Sequence, residues 1–164
     1  MTIRILGLDP GLVRTGWGVI AIAGTRLTHV AHGVVAPPVA LPLAERLRHL
    51  HDGIAEVIAR ELPAEAAIEE SFFGSNAASA LKLGHARAAA MLAPALAGLP
   101  VAEYAARVVK KALVGTGAAD KVQVAFMVQR LLPGIRLNAG DAADALAIAI
   151  THAHQRGTGR ASRD

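Results

Sequence analysis

The segment IRILGLDPG, residues 3–11, is an almost continuous apolar run that ends in a Pro-Gly turn. A run of this kind predicts a buried strand followed by a turn. Asp9 is the last residue before the turn, and a charge at that position is costly to bury unless something compensates it. Two interpretations follow: Asp9 caps its own turn, or it belongs to a functional site.

Working outward from this strand, the apolar periodicity alternates between the strand pattern and the helix pattern. We expect strands at residues 3–9, 15–22, 26–35, 66–70 and 100–104, and helices at residues 43–62, 77–96, 105–114, 121–132 and 141–154. Asn76 and Asp120 are the predicted N-caps of the second and fourth helices, with Gln123 completing a capping box. This order predicts an α/β fold, with a five-stranded mixed sheet flanked by helices. We expect one domain over residues 1–155 and a disordered basic tail over residues 156–164.

The composition restricts the classes of protein that fit. The chain has 164 residues, of which 53% are apolar, and this is enough to build one buried core. It has no cysteine, which excludes disulfides, thiolate metal sites and cysteine nucleophiles. A net charge of +4 favours a polyanionic partner such as nucleic acid. Without a signal peptide or an uncharged run long enough to span a bilayer, the sequence predicts a soluble cytoplasmic protein that has no membrane partner.

A second apolar strand, residues 66–70, also ends in acidic residues. If it lies parallel to the first strand, the two acidic ends emerge at the same carboxyl edge of the sheet, where α/β proteins bind ligands. Glu69 and Glu70 compete for the place beside Asp9, because successive strand residues face opposite ways. Strand parity alone leaves both candidates open.

Two further carboxylates, Asp141 and Asp144, open the last predicted helix, and their spacing places them on one face. One interpretation is structural, since acidic residues in a first turn suit the helix dipole and Asp141 could be the N-cap. The alternative is a metal site. Carboxylates repel one another unless a cation lies between them, and all-oxygen ligand sets suit Mg²⁺ or Mn²⁺. Four such charges balance two divalent ions, an arrangement that serves phosphodiester cleavage.

Six short stretches lie in order along almost the whole chain: GLDPG (residues 7–11), TGWGV (15–19), AIE (67–69), NAASALKLG (76–84), EYAAR (103–107) and DAADALA (141–147). Together they resemble the RuvC family of bacterial Holliday-junction resolvases. The resemblance implies an RNase H-like (retroviral-integrase-like) fold. It also implies a homodimeric endodeoxyribonuclease that resolves four-way DNA junctions by paired symmetric nicks in homologous recombination and DNA repair. The implied partners are the branch-migration proteins RuvA and RuvB.

The same resemblance assigns the metal-binding and catalytic carboxylates, which are Asp9, Glu69, Asp141 and Asp144. Glu69 is thereby favoured over Glu70. The family pattern further implies two Mg²⁺ ions per subunit, with Mn²⁺ as a substitute.

Lys121 lies in the first turn of its predicted helix, close to the loop Gly115-Thr116-Gly117. The helix dipole mildly disfavours a cation there, whereas a helix N-terminus with a lysine and a glycine-rich loop is a good phosphate site. Lys121 is therefore either a solvated lysine or a cation of the active site. By resemblance, it and Lys110 match family lysines near the cleaved strand. Further candidates for DNA contacts are Lys82, Arg87, Arg14 and Arg107.

Phe72 and Phe73 closely follow Glu69, so two of the chain's three phenylalanines fall in one loop beside the proposed metal site. Adjacent side chains rarely both bury, and an exposed ring can stack on DNA bases or wedge between them. Core packing is the alternative for one of the pair. The resemblance favours Phe72 as the ring that binds DNA.

The predicted helix at residues 77–96 has few polar side chains, and part of its surface suits the interface of a two-fold dimer. Two other functions remain for comparison. A phosphotransferase of the sugar-kinase type also carries an aspartate on its first strand, but it needs two lobes, more than 164 residues supply. A non-catalytic nucleic-acid-binding protein is disfavoured by the intact carboxylates. The choice of DNA over RNA rests on the resemblance alone.

Overall fold

A computed structural model describes residues 1–70 and 76–156 of the chain. The strands in this part are β1 (Thr2–Asp9), β2 (Thr15–Ala23), β3 (Arg26–Val35), β4 (Glu65–Glu70) and β5 (Val101–Ala105). The helices are α1 (Leu43–Glu61), α2 (Ala77–Leu96), α3 (Ala106–Val114), α4 (Lys121–Leu131) and α5 (Asp141–Gln155). These bounds differ from the predicted ones by no more than one residue at either end. None of these described helices is long and apolar enough to cross a membrane.

The strands form one mixed sheet in the order β3-β2-β1-β4-β5. β1, β2 and β3 form an antiparallel meander, and β4 and β5 lie parallel to β1. Parallel neighbours need a crossover connection, which α1 supplies before β4 and α2 supplies before β5. The predicted five-stranded mixed sheet flanked by helices is confirmed, and β1 and β4 end at the same edge.

Helices cover both faces of the sheet, and each face has its own core. Ile5 and Ala67 pack with the buried side chains of α3, α4 and α5. Leu6 and Ile68 pack with those of α1 and α2 on the opposite face. This alternation fixes which side of the sheet each later strand residue faces.

The α5 helix lies unusually close to the sheet because glycines form the surface beneath it. A Cβ atom on Gly7 would stand 2.0 Å from the carbonyl oxygen of Ala145, and one on Gly16 would stand 2.0 Å from that of Asp141. Any larger residue at these positions would push the helix away. The two glycines thus fix the height of α5 over β1 and β2.

The helix caps agree with the sequence prediction. The Asn76 side chain accepts a hydrogen bond from the Ser79 backbone at 2.9 Å. Asp120 accepts from the Gln123 backbone at 2.8 Å, while the Gln123 side chain accepts from the Asp120 backbone at 2.9 Å, which completes the capping box. The second cap fixes the start of α4, and therefore the position of Lys121.

The described chain ends just beyond α5. Arg156, which was expected in the basic tail, caps the helix and donates two hydrogen bonds to Glu65 at the start of β4. The rest of the predicted tail, residues 157–164, lies outside the described residues.

Candidate active site

Asp9 and Glu69 end neighbouring parallel strands, and their side chains meet. Ala67 belongs to the core beneath α5, whereas Ile68 belongs to the core beneath α1 and α2. Because side chains alternate along a strand, Glu69 shares the α5 face with Ala67, and Glu70 faces the other way. The structure therefore brings Glu69, and not Glu70, beside Asp9, and the two carboxyl groups share a hydrogen bond.

Asp141 and Asp144 reach the same edge from the first turn of α5. The N-cap of α5 is Gly140, without a side-chain cap hydrogen bond, so the interpretation of Asp141 as the N-cap is wrong. The backbone of Asp141 packs on Gly16, and Gly16 pairs with Asp9 across β1 and β2. The close approach of α5 to the sheet thus sets both aspartates beside the end of β1.

A cleft of about 250 Å³ opens where β1 and β4 end, between α3, α4 and α5. Its charged lining consists of three carboxylates and two lysines: Asp9, Glu69, Asp144, Lys110 and Lys121. The rest of the wall is apolar and includes Val109, Val124 and Ile148. A carboxylate against such a wall, such as Asp144 with 20% of its side chain exposed, is poorly solvated, so its interactions with other charges are stronger than they would be in water.

Burial raises the pKa of Asp9 from the usual 3.8 to about 8, and the charges of Glu69 and Asp144 add to this effect. A carboxyl group with this pKa keeps its proton at neutral pH unless a cation takes the proton's place. The hydrogen bond between Asp9 and Glu69 fits a pair of acids that share one proton. The two lysines of the cleft could not neutralise three ionised carboxylates, and the shared proton makes up the difference.

Lys121 is the cation nearest to Asp144, with 3.4 Å between Nζ and Oδ2. The negative charge of Asp144 raises the pKa of Lys121. Burial raises the pKa of Asp144, and Lys121 opposes that rise. Lys121 is consequently protonated at neutral pH.

Arg14, in the turn between β1 and β2, holds the fourth carboxylate. Its Nε lies 3.1 Å from Oδ2 of Asp141. About 60% of the Arg14 side chain is exposed, against 32% for Asp141. This pair lies beside the cleft and is open to solvent.

The oxygen donors of this site suit a hard divalent cation. Within residues 1–70 and 76–156, the present side-chain positions bring no three acidic or histidine side chains close enough to bind one metal ion together. The contacts already described account for this, because Lys121 holds Asp144, Arg14 holds Asp141, and Asp9 bonds to Glu69. The all-oxygen donor set, with a shared proton that a cation can replace, fits metal binding that displaces these contacts.

The other predicted DNA-binding residues have different surroundings. Lys110 lines the cleft, and Lys82 is exposed on α2. Arg87 is only 20% exposed; it donates to the backbone oxygen of Glu69 at 3.1 Å and forms a short ion pair with Glu103. Its predicted contact with DNA stays a prediction, whereas its contact with Glu69 is structural. Phe72 lies outside the described residues.

Sequence reasoning missed one polar network at the far end of the same elements. His152 Nε2 lies 2.8 Å from Glu65, and His152 Nδ1 lies 2.8 Å from the Tyr104 hydroxyl. Arg156 pairs with Glu65 as well. These residues are remote from one another in the sequence, and of them only Tyr104 falls within one of the six stretches, so the sequence carried no signal for their contacts. The network ties the end of α5 to the start of β4 and to Tyr104, near the end of β5.

Comparison with known proteins gives the family. Residues 5–152 match the family model described as "Crossover junction endodeoxyribonuclease RuvC". The chain is 68% identical to the crossover junction endodeoxyribonuclease RuvC of Maricaulis maris, over 95% of this chain and 93% of that protein. It is 63% identical to the protein of the same name from Caulobacter vibrioides, over 93% of this chain and 90% of that protein.

Solved structures agree with this match. A structure of Thermus thermophilus RuvC in complex with a Holliday junction substrate has a TM-score of 0.88 and 38% identity, over 96% of both chains. The yeast mitochondrial Holliday junction resolvase Ydc2 has a TM-score of 0.71 at 12% identity, which shows likeness of fold alone. These neighbours confirm the RNase H-like fold that the sequence predicted. The chain belongs to the RuvC family of crossover junction endodeoxyribonucleases.

Proposed function

We propose that this chain is a structure-specific endodeoxyribonuclease that resolves four-way (Holliday) DNA junctions by paired symmetric nicks. The observation that carries the proposal is the meeting of Asp9, Glu69 and Asp144 in one cleft, with Asp141 beside it, at the carboxyl edge of the sheet. Membership of the RuvC family supports the choice of a junction as substrate. The reaction serves homologous recombination and DNA repair.

Two Mg²⁺ ions per subunit, held by the four carboxylates, complete the proposed site, and Mn²⁺ substitutes for them. Bound there, the ions would activate a water molecule and stabilise the leaving oxygen of the phosphodiester. The chain's own contribution is to hold the ligands in place. Asp9 and Glu69 are fixed by strand pairing, and Asp141 and Asp144 are fixed by the close packing of α5 on the sheet.

We assign Lys121 to the phosphate at the cleaved bond. It starts α4, where the capping box holds it, and its side chain points into the cleft beside Asp144. Its raised pKa keeps the side chain charged at neutral pH, so it can stabilise negative charge that develops on the phosphate. This supports a catalytic role for Lys121.

DNA contacts outside the metal site are assigned to four further residues: Lys110, Lys82, Arg87 and Phe72. Lys110 has the strongest support, because it lines the same cleft as the carboxylates. The position of Arg87 supports a second task, since it fixes the backbone of Glu69. The assignment of Phe72 as a ring that stacks on junction bases rests on the sequence and the family resemblance.

A homodimer is proposed because two opposed strands must be cut by two active sites. The α2 helix supports an interface: Leu92 is 51% exposed and Leu96 is 70% exposed, and both line an apolar groove between α1 and α2. Leu47, Ala88 and Ala89 add further apolar surface to the same groove.

The partners and the compartment follow from the proposed reaction. RuvA and RuvB, the branch-migration proteins of the family resemblance, are the proposed protein partners. Because bacterial chromosomal DNA lies in the cytoplasm, a protein that acts on it works there.

The test of this function uses three labelled substrates incubated with the protein and Mg²⁺: a four-way junction, a plain duplex of the same sequence and an RNA–DNA hybrid. Paired symmetric nicks in the junction alone are the expected result. Cleavage of the hybrid in preference to the junction would instead favour an RNA-processing nuclease.

A further inference from the structure

The turn between β1 and β2 presents one arginine to the metal site. The backbone of this turn is held firmly, since the buried Thr15 hydroxyl donates to the Gly11 carbonyl at 2.9 Å and accepts from the Gly11 amide at 3.1 Å. Arg46 on α1 donates to the carbonyl of Leu12 at 3.0 Å. The Arg14 side chain is the part of the turn that is free to change its contact, because most of it is exposed.

The pair between Arg14 and Asp141 is not needed to position α5. The backbone of Asp141 already packs against Gly16, and an acidic residue in a first helical turn is favoured by the dipole. A solvent-exposed ion pair contributes little to stability. The guanidinium therefore has another effect, which is to neutralise a proposed metal ligand while leaving its place in the fold unchanged.

We propose that Arg14 is a counter-ion switch that makes metal binding depend on DNA. In the free protein its guanidinium holds Asp141 and competes with the metal for that carboxylate. When a DNA phosphate lies beside the cleft, the guanidinium turns to the phosphate and leaves Asp141 to the metal. Arg14 thus acts on the metal indirectly, by controlling whether Asp141 is available as a ligand. This inference rests on the proposed metal site.

Charge favours this exchange. A phosphate is a bidentate acceptor that matches the guanidinium fork, and the exposed Arg14 lies where a polyanion would first approach the site. Lys121 is as exposed as Arg14, but its partner differs: Asp144 lines the cleft and is only 20% exposed, against 32% for Asp141. Of these two carboxylates, Asp141 is the one that lies beside the cleft and is more open to solvent.

The variant Arg14→Gln removes the charge and keeps much of the side-chain length. Arg14→Lys keeps the charge. Arg26→Gln is the matched control, because it removes the same charge from the far end of the β2–β3 hairpin, where Arg26 pairs in register with Ala23. Thermal unfolding of all three variants checks that they fold.

The experiment measures Mn²⁺ affinity by electron paramagnetic resonance, with and without a plain duplex whose integrity is verified on a denaturing gel. For the free protein, Arg14→Gln should bind Mn²⁺ roughly three- to tenfold more tightly than wild type, as expected for removal of a nearby unit charge in a partly solvated site. Arg14→Lys and Arg26→Gln should match wild type. The duplex should raise the Mn²⁺ affinity of wild type more than that of Arg14→Gln.

Two results would overturn the switch: an unchanged or weaker Mn²⁺ affinity in Arg14→Gln, or an equal gain with duplex in both proteins. A wild-type protein that binds no Mn²⁺, or binds it as well after Asp9→Asn, would instead overturn the proposed metal site on which the switch depends.

Discussion

The carboxyl groups of Asp9 and Glu69 share a hydrogen bond because their strands run parallel with Leu8 opposite Ile68. One more step along each strand brings the two acids side by side on the face that α5 covers. Burial and this neighbour raise the pKa of Asp9 to about 8. Two ionised carboxylates held this close would repel each other, and a divalent cation bound between them would offset that repulsion.

The first prediction concerns the pH dependence of stability in EDTA. The folded-state pKa of Asp9, about 8, lies above the usual 3.8, so folding favours its protonated form. This contribution is fully present below the unfolded-state pKa and is lost as the pH rises through the folded-state pKa. Asp9→Asn has no carboxyl group to ionise at this position, so its free energy of unfolding does not fall in this way. It should be more stable than wild type by on the order of 2 kcal/mol at about pH 9. Urea unfolding at a series of pH values in EDTA measures this difference. If the free energy of unfolding depended on pH in the same way for both proteins, Asp9 would not be a buried carboxyl group that shares a proton with Glu69.

Lys121→Gln should keep the fold and lose cleavage. The variant removes the charge assigned to the phosphate at the cleaved bond, so we expect junction cleavage to fall by roughly 100-fold while junction affinity changes little. Lys111→Gln, at an exposed position in the last turn of α3, is the matched control and should cleave normally. Single-turnover cleavage and fluorescence anisotropy separate the two effects. An equal loss in both variants would mean that Lys121 serves only general attraction to DNA.

Gly16→Ala should disrupt the site through the backbone. Its Cβ would stand 2.0 Å from the carbonyl oxygen of Asp141, so the start of α5 must move away from β2. We expect a loss of about 3 kcal/mol in stability, together with weaker metal binding. Gly84→Ala is the control: it lies within α2 with open space around the added atom, and it should gain about 1 kcal/mol. Urea denaturation measures the free energy of unfolding of both variants. An unchanged value for Gly16→Ala would contradict the close packing of α5 on β2.

Leu92→Glu should convert the proposed dimer to a monomer. A charge in this largely apolar groove would lose its hydration in a subunit interface, so association becomes less favourable. Val39→Glu, at an exposed apolar position in the segment between β3 and α1, should remain dimeric. Sedimentation velocity gives the oligomeric state. If Leu92→Glu sediments as a dimer, the interface lies elsewhere.

The fold was largely predictable because each element has its own local signal. The apolar run that ends at Asp9, the helix caps at Asn76 and Asp120, and the glycine turns set the bounds of most strands and helices. The convergence of carboxylates was also predictable, since parallel strands end at a common edge. Choosing Glu69 over Glu70 needed more than strand parity, because the sequence does not state which face α5 covers.

Other contacts could not be predicted, since they join residues remote in the chain. Arg14 reaches Asp141, and Arg87 reaches the Glu69 backbone, through tertiary packing alone. Sequence analysis treated both arginines as candidates for phosphate contacts, which their charge suggested. The fold shows that Arg14 pairs with the Asp141 side chain and that Arg87 donates to the Glu69 backbone.

The most direct test of the central claim compares DNA binding and cleavage by Asp9→Asn in Mg²⁺. Metal ligation, not DNA affinity, is the role assigned to Asp9, so the variant should bind a labelled four-way junction as wild type does. It should produce no paired nicks at protein concentrations that resolve the junction completely for wild type. Full cleavage by Asp9→Asn would contradict the claim that these four carboxylates form the nuclease centre.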